Sequence, residues 1–237
     1  MIQKALEYIV SLSKPELVKF NEIQYSDKPL FRVAEREQLV KPLQISTLTG
    51  LADYVKSNPD QISEKTEIMI LVNSESSVTV MSNYNDDAER HTYIKCNAIT
   101  PRITLDNFLD TEKFNIMLQS CFLKNWDRDT ILQIIGTIKE ENVKTTGDNG
   151  ISQSVIAKTG IASVGEIVIP NPVTLIPFRT FIEVEQPESK FVFRMKDGPS
   201  CAIFEADGGE WRLAAMLRIK AYLQEALREH SNVKILA

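Results

Sequence analysis

Apolar segments typical of β-strands follow one another between residues 154 and 205 of this chain. They are Ser154–Thr159, Glu166–Ile169, Val173–Val184, Lys190–Met195 and Cys201–Glu205. Their many Val, Ile, Phe and Thr residues favour extended backbone, because β-branched and aromatic side chains pack well on a pleated surface. The pattern predicts a β-rich C-terminal half, which ends where Gly208-Gly209 gives the chain room to turn.

A long helix is predicted directly after these strands, from Glu210 to about Glu229. Apolar side chains recur there at the spacing that places them on one face of a helix. The predicted buried stripe contains Trp211, Ala215, Ile219, Tyr222, Leu223 and Ala226.

The N-terminal segment has a helical pattern followed by a less regular stretch. One helical face is expected to contain Ile2, Ala5, Leu6, Ile9 and Val10. Pro15 is expected to open a second short turn that reaches Phe20. The stretch from Ile23 to Pro42 is expected to be extended, with a strand at Leu30–Val33.

A helix and a small antiparallel meander are predicted next. Ser46 or Thr47 is expected to cap a helix that runs to about Ser57, where Pro59 stops it. Turn-like clusters then separate three strand candidates, Glu67–Val72, Val78–Ser82 and Arg90–Cys96.

Two further helices and a loop complete the N-terminal half. Phe114, Met117, Leu118 and Cys121 fit one helix, and Ile131, Leu132, Ile134, Ile135 and Ile138 fit a second. Asp127 is expected to cap the second helix. A loop is expected at Thr145–Gly150, where Asn149-Gly150 is a strong turn signal.

These patterns predict an α+β protein with a mixed, mainly antiparallel sheet, flanking helices and a long C-terminal helix. Two lobes are expected, an α+β lobe at residues 1–144 and a β-rich lobe at residues 145–237. One interwoven domain fits nearly as well.

Composition and charge limit the classes of function. The chain has 237 residues and a formal net charge of −5, which counts against a general DNA coat, although a local basic groove stays compatible with it. Because no signal peptide and no run of 18 apolar residues occurs, we expect a cytoplasmic protein without a membrane span. The odd number of cysteines, Cys96, Cys121 and Cys201, indicates reduced thiols and not a disulfide framework.

Two long motifs in the second half carry a resemblance. They are PNPVTLIPFRTFIEVEQPESKFVFRM (Pro170–Met195) and FEADGGEWRLAAMLRIKAYL (Phe204–Leu223), and shorter ones are TLTGLADYV (Thr47–Val55), LQSCF (Leu118–Phe122) and DNGISQSV (Asp148–Val155). In these motifs the chain resembles the YfdQ-like family of phage and prophage proteins of unknown function. The resemblance implies a phage or prophage origin and action in the bacterial cytoplasm, and it implies no catalytic residue.

The densest polar segment is Phe178–Arg194. A regular strand there would place Arg179, Phe181, Glu183 and Glu185 on one face. In one interpretation Arg179 and Arg194 bind a phosphate or carboxylate bidentately. In the other, the arginine and the acids form cross-strand ion pairs that fix the strand register.

The turn Glu205–Gly209 and the start of the last helix form a second candidate region. The carboxylates of this turn are interpreted as metal ligands and the backbone amides at the helix start as an anion site. Alternatively, Asp207 is an ordinary helix cap. Trp211 is interpreted either as a platform for a nucleic-acid base or as a core anchor. The full set of candidate ligand-binding residues is Arg179, Arg194, Arg212, Glu183, Asp207 and Trp211.

Enzymatic chemistry has little support in the sequence. Only His91 and His230 are available for a Ser-His or Cys-His pair, and no GxSxG elbow, Walker loop, dinucleotide GxGxxG, HExxH or paired CxxC occurs. We therefore predict no catalytic residues, no metal site and no cofactor.

The sequence is compatible with three functions from different classes. The first is a non-enzymatic phage accessory protein, expected to be a homo-oligomer, that binds a host protein or a small nucleotide-like ligand. The second is a phage replication or recombination accessory that binds single-stranded DNA or a recombinase, with Phe178, Phe181, Phe191 and Phe193 interleaved with basic residues. The third is a virion or assembly component.

Overall fold

The structure is a computed structural model that describes residues 2–20, 23–29, 41–63, 65–85, 88–137, 144–148, 153–159, 163–169, 171–196 and 200–237. Internal packing divides the chain into two units, Met1–Leu39 and Val40–Ala237. The boundary predicted between residues 144 and 145 falls inside the second unit.

The elements alternate irregularly along the chain. The helices are α1 (Ile2–Ser13), α2 (Leu48–Ser57), α3 (Thr111–Cys121), α4 (Trp126–Thr137) and α5 (Trp211–Ala226). The strands are β1 (Leu17–Phe20), β2 (Ile23–Ser26), β3 (Leu43–Ile45), β4 (Ile68–Ser74), β5 (Ser77–Tyr84), β6 (Arg90–Asn97), β7 (Leu109–Asp110), β8 (Lys144–Asp148), β9 (Gln153–Thr159), β10 (Ser163–Ile169), β11 (Val173–Leu175), β12 (Ser189–Lys196), β13 (Ser200–Glu205) and β14 (Val233–Leu236). The sheets are mixed and mostly antiparallel, so the predicted α+β class is confirmed.

The first unit contains α1 and an antiparallel pair of strands, β1 and β2. The helix confirms the predicted period, and its apolar residues Ile2, Leu6 and Ile9 are exposed. The prediction of a short turn up to Phe20 was wrong, because the apolar residues after Pro15 form β1 and pair with β2. The strand predicted at Leu30–Val33 lies outside the described residues.

A five-stranded sheet in the order β14-β4-β5-β6-β3 lies in the second unit. Its centre is the predicted antiparallel meander, in which alternate residues such as Ile70, Val80 and Ile94 are buried. The edge strands β14 and β3 pair in parallel with β4 and β6, and neither was predicted. Each edge strand has only three or four residues, so its extended form depends on the longer neighbour with which it pairs.

Helix α2 begins and ends close to where the sequence predicts. The Thr47 hydroxyl oxygen accepts a hydrogen bond from the Gly50 N–H at 3.2 Å, as expected of a helix cap. At the other end Asn58 adopts a left-handed conformation (φ 44°) just before Pro59.

A four-stranded sheet in the order β11-β12-β13-β7 packs against α3 and α4. The hydrophobic core between them is called here the first core. Its fully or nearly fully buried members include Phe114, Leu118, Ile131, Leu175, Phe191, Phe193 and Cys201. Helix α4 begins at Trp126, and the cap predicted at Asp127 was wrong: Asn125 accepts the Arg128 N–H at 2.8 Å, while the Asp127 carboxylate accepts the Thr174 N–H at 2.6 Å.

Helices α2 and α5 cover one face of the five-stranded sheet and form the second core. This core includes Leu48, Leu51, Ile70, Val80, Ile94, Cys96, Phe181, Ile219 and Leu223. The stripe predicted for α5 is confirmed, with Trp211, Ala215, Ile219 and Leu223 buried and Tyr222 and Ala226 packed against the second core.

A third sheet in the order β10-β9-β8 is antiparallel. It confirms the strands predicted at Ser154–Thr159 and Glu166–Ile169. The loop predicted at Thr145–Gly150 was wrong over Thr145–Asp148, which belong to β8, because their backbone pairs with β9. Asn149-Gly150 and Ile138 lie outside the described residues.

The strand predicted at Val173–Val184 ends at Leu175. Beyond it, Pro177 pairs with Phe122, and the Gln186 side-chain oxygen accepts the N–H groups of Arg179 (3.0 Å) and Thr180 (3.2 Å). These contacts replace a strand partner, so the backbone at residues 178–188 is irregular. The predicted face of Arg179, Phe181, Glu183 and Glu185 is therefore not formed.

Candidate functional site: a cavity beside Trp211

Four of the six predicted site residues come together at the start of α5. They are Arg179, Asp207, Trp211 and Arg212. Arg179 comes from the irregular segment at residues 178–188, while the other three belong to the turn after β13 and the first turn of α5. The antiparallel pairing of β12 with β13 places Ser189 and Glu205 near the same end of the sheet, beside them.

Arg179 is almost entirely enclosed, and its side chain is only 9% exposed. Its Nη1 donates to Glu205 Oε1 at 2.8 Å, and its Nη2 donates to the Ser189 hydroxyl. Burial lowers the pKa of this guanidinium to about 10, although Glu205 and Asp207 favour the charged form. Arg179 is thus a cation at neutral pH whose charge is matched inside the protein.

Asp207 completes this internal network. Its Oδ2 accepts from the Ser189 hydroxyl, and its Oδ1 accepts the Gly209 N–H at 3.1 Å. Burial works against the charged carboxylate, but these hydrogen bonds and Arg179 hold its pKa below the ordinary value. The interpretation of Asp207 as the helix cap was wrong: α5 is preceded by Glu210, which makes no side-chain cap, and Asp207 binds the turn just before it.

Trp211 lies between two guanidinium groups and the protein interior. The Arg179 guanidinium carbon is 3.6 Å from its ring centroid and that of Arg212 is 4.9 Å away. The residue is 7% exposed, so it packs as a core anchor. Within the described part of the chain its indole Nε1 has no hydrogen-bond partner.

Arg212 differs from Arg179 because it is exposed. No ion pair of Arg212 occurs among the residues that the structure describes. Its side chain folds over Gly209, whose φ is +82° and where an added Cβ would lie 2.3 Å from Arg212 Nη1. The absence of a side chain at residue 209 therefore leaves the space that Arg212 occupies.

A cavity of about 220 Å³, called here the Trp211 cavity, opens beside these groups. Its lining residues are Thr100, Pro101, Ile103, Leu105, Pro177, Phe178, Arg179, Phe191, Glu205, Trp211 and Arg212. Two arginines and one glutamate leave its wall with a formal net charge of +1 (2 − 1), and most of the remaining wall is apolar or aromatic. The arrangement suits a compact ligand with an apolar body and an anionic group.

A larger groove of about 560 Å³ also contains Trp211. Its charged residues are Glu188, Asp207, Glu210 and Lys190, so its charge has the opposite sign. Across the described ranges, no group of three or more His, Cys, Asp or Glu side chains is placed to hold a metal ion.

The other two predicted site residues lie elsewhere. Glu183 Oε1 accepts the Thr49 N–H at 3.2 Å. This carboxylate therefore binds a backbone donor at the N-terminus of α2, where a negative charge is favourable. Arg194 lies in β12 opposite Ala202 and does not line the Trp211 cavity.

Aromatic residues proposed as stacking platforms are mostly interior. Phe181, Phe191 and Phe193 are at most 1% exposed and belong to the two cores. These three rings therefore pack in the protein interior and are not available to stack on bases.

Four residues that line the cavity could not be predicted from the sequence, because they lie far along the chain from the other members of the site. Thr100, Pro101, Ile103 and Leu105 come from the segment between β6 and β7, which has no regular period to predict its position. The sequence predicts only a turn at Gly208-Gly209, whereas the second glycine also makes room for Arg212.

No family model, no curated protein and no solved structure matches this chain. The resemblance to the YfdQ-like family and the phage origin that it implies therefore stay predictions. In the described part of the chain, no helix has both the length and the apolar character needed to cross a bilayer.

Proposed function

We propose that this protein acts by binding and not by catalysis, as an accessory protein of a phage or prophage in the bacterial cytoplasm. Its ligand is a small nucleotide-like molecule with an anionic group, held in the Trp211 cavity. The observation that carries the proposal is the exposed guanidinium of Arg212, which has no ion pair among the described residues and lies beside an indole ring at an apolar cavity.

The roles within the site follow from burial and charge. Arg212 supplies the charge and hydrogen bonds that the ligand meets, because an exposed guanidinium can bind an oxyanion bidentately. Arg179 supports the ring of Trp211 from within and is already engaged by Glu205 and Ser189. Arg179 is therefore a positioning residue. We propose that Arg212, and not Arg179 as the sequence alone suggested, contacts the ligand.

The predicted single-strand binding has weaker support, because three of the four phenylalanines that would stack on bases, Phe181, Phe191 and Phe193, are buried. A host protein as partner, a homo-oligomer and a role in the virion remain further predictions.

Native mass spectrometry of protein purified from bacteria at modest salt tests the proposal. We expect an added mass of nucleotide size, present in the wild type and in an Arg228→Gln control, whose exposed arginine lies outside the Trp211 cavity. The added mass should be absent from Arg212→Gln. Co-purified oligonucleotide would favour the replication role, and a clean protein mass in the wild type would contradict ligand binding.

A further inference from the structure

The size of the Trp211 cavity limits what it encloses. Pockets that surround drug-sized ligands have volumes of about 300–1,000 Å³. At about 220 Å³ the cavity is smaller, so it has room for a fragment and not for a whole nucleotide.

The charge distribution identifies the group that binds there. Arg179 and Arg212 both approach the indole of Trp211, at 3.6 and 4.9 Å, and only Arg179 has an acidic partner in the described part of the chain. Their mutual repulsion is one of the causes that lower the pKa of Arg179. A negative group beside Arg212 relieves this repulsion and meets N–H donors that have no acceptor among the described residues.

The walls identify the body to which that group is attached. Ile103 and Leu105 present aliphatic surface, and Phe178 and Trp211 present aromatic surface. Such walls favour a flat apolar ring over a hydrated or extended chain.

We infer that the Trp211 cavity encloses a compact aromatic or heterocyclic ring that carries a single oxyanion, a carboxylate or a phosphate, bound by Arg212. This inference rests on the proposed function and narrows its ligand class, because any further part of a nucleotide-like ligand lies outside the cavity.

Gly209 is the positioning residue for this recognition. A Cβ at residue 209 would lie 2.3 Å from Arg212 Nη1 and 3.5 Å from its Cζ, so any other residue displaces the guanidinium. The positive φ of +82° further favours glycine at this position. Gly209→Ala therefore weakens oxyanion binding although Arg212 itself is retained.

The test is a fluorescence titration in a Trp126→Phe background. The chain has two tryptophans, and Trp126 is 77% exposed, so its removal leaves Trp211 as the reporter at little structural cost. The probes are phenyl phosphate, its neutral counterpart phenol, benzoate, its neutral counterpart benzamide, inorganic phosphate and adenosine 5′-monophosphate. Circular dichroism confirms that each variant is folded.

The inference predicts that phenyl phosphate or benzoate binds at least about tenfold more tightly than its neutral counterpart and than inorganic phosphate. A preference for one of the two identifies the oxyanion. The tighter binding of the anionic probe relative to its neutral counterpart should disappear in Arg212→Gln, be reduced in Gly209→Ala and persist in Arg228→Gln. Should Gly209→Ala fail to fold, Arg212→Gln alone decides the role of the charge.

Several results would overturn the inference. If neither phenyl phosphate nor benzoate binds more tightly than its neutral counterpart, oxyanion recognition is excluded. If inorganic phosphate binds as tightly as the better of these two probes, a role for the ring is excluded. Binding of adenosine 5′-monophosphate alone shows that the cavity takes a larger ligand. If no probe binds while native mass spectrometry still finds a small molecule, only the inference fails; if neither experiment finds binding, the proposed function fails as well.

Discussion

Arg179 is a cation whose contacts are internal, since it pairs with Glu205 at 2.8 Å and covers the ring of Trp211. Removing one partner of a buried ion pair is costly because the other charge loses its match. We expect Arg179→Met to lower the free energy of unfolding by about 3 kcal/mol. An Arg228→Ala control, which breaks an exposed pair with Glu225, should cost at most about 0.5 kcal/mol. Urea denaturation measures both, and equal small losses would contradict the structural role of Arg179.

Asp207 makes stability depend on pH through its lowered pKa. A carboxyl group whose pKa is lower in the folded state stabilises the fold above its unfolded pKa, and this contribution is lost as pH falls through the folded value. The ordinary value is 3.8. The stability difference between wild type and Asp207→Asn should therefore be constant at neutral pH and shrink as pH falls below about 4. Urea denaturation across this range checks it, and a difference that grows on acidification would contradict the shift.

At the scale of elements, α2 offers a prediction about its cap. Thr47 binds the Gly50 N–H, and without that acceptor the first turn has an unsatisfied donor. We expect Thr47→Ala to cost about 1 kcal/mol, while Thr47→Ser, which keeps the hydroxyl, should cost much less. Thermal or urea unfolding measures the change, and similar losses in both variants would show that the hydroxyl does not act as the cap.

Elements in which apolar residues recur at a regular spacing could be predicted from the sequence. The meander β4-β5-β6, the strands β12 and β13 and the stripe of α5 were predicted with nearly correct bounds. The short edge strands β3 and β14 were missed because their pairing partners lie far away in the chain. The segment after β11 was predicted as strand because its residues favour one, whereas Pro177 and the Gln186 side chain impose another path.

The candidate site, too, could be predicted from the sequence only in part. Asp207, Trp211 and Arg212 were found together because they are neighbours in the sequence. Arg179 was singled out by its polar surroundings, but its contact with Trp211 joins residues far apart in the chain and could not be predicted. Glu183 was included on the assumption that the strand continues beyond Leu175, where the structure ends it. Arg194 does lie in a predicted strand, β12, but that strand places it away from the Trp211 cavity.

At the scale of the second unit, two of its three cysteines, Cys96 and Cys201, report on two separate cores. Burial raises the pKa of the Cys201 thiol in the first core to about 12, and burial together with the nearby Glu183 does the same for Cys96 in the second core. Since the thiolate is the reactive form, neither thiol should react with a disulfide reagent near pH 8 while the protein is folded.

If residues 40–237 unfold cooperatively, both thiols should become reactive at the same urea concentration. Variants that keep only Cys96 or only Cys201 resolve the two signals. Reaction of one thiol at a clearly lower urea concentration would show that the two cores open independently.

The most direct test of ligand binding beside Trp211 is a two-dimensional NMR spectrum of the isotope-labelled indole N–H groups. The chain has two tryptophans, so the exposed Trp126 serves as an internal control for the buried Trp211. Addition of the low-mass fraction of a bacterial cytosol should shift the Trp211 resonance and leave that of Trp126 in place, and Arg212→Gln should abolish the shift. An unmoved Trp211 resonance, or a shift confined to Trp126, would contradict a small-molecule site in the Trp211 cavity.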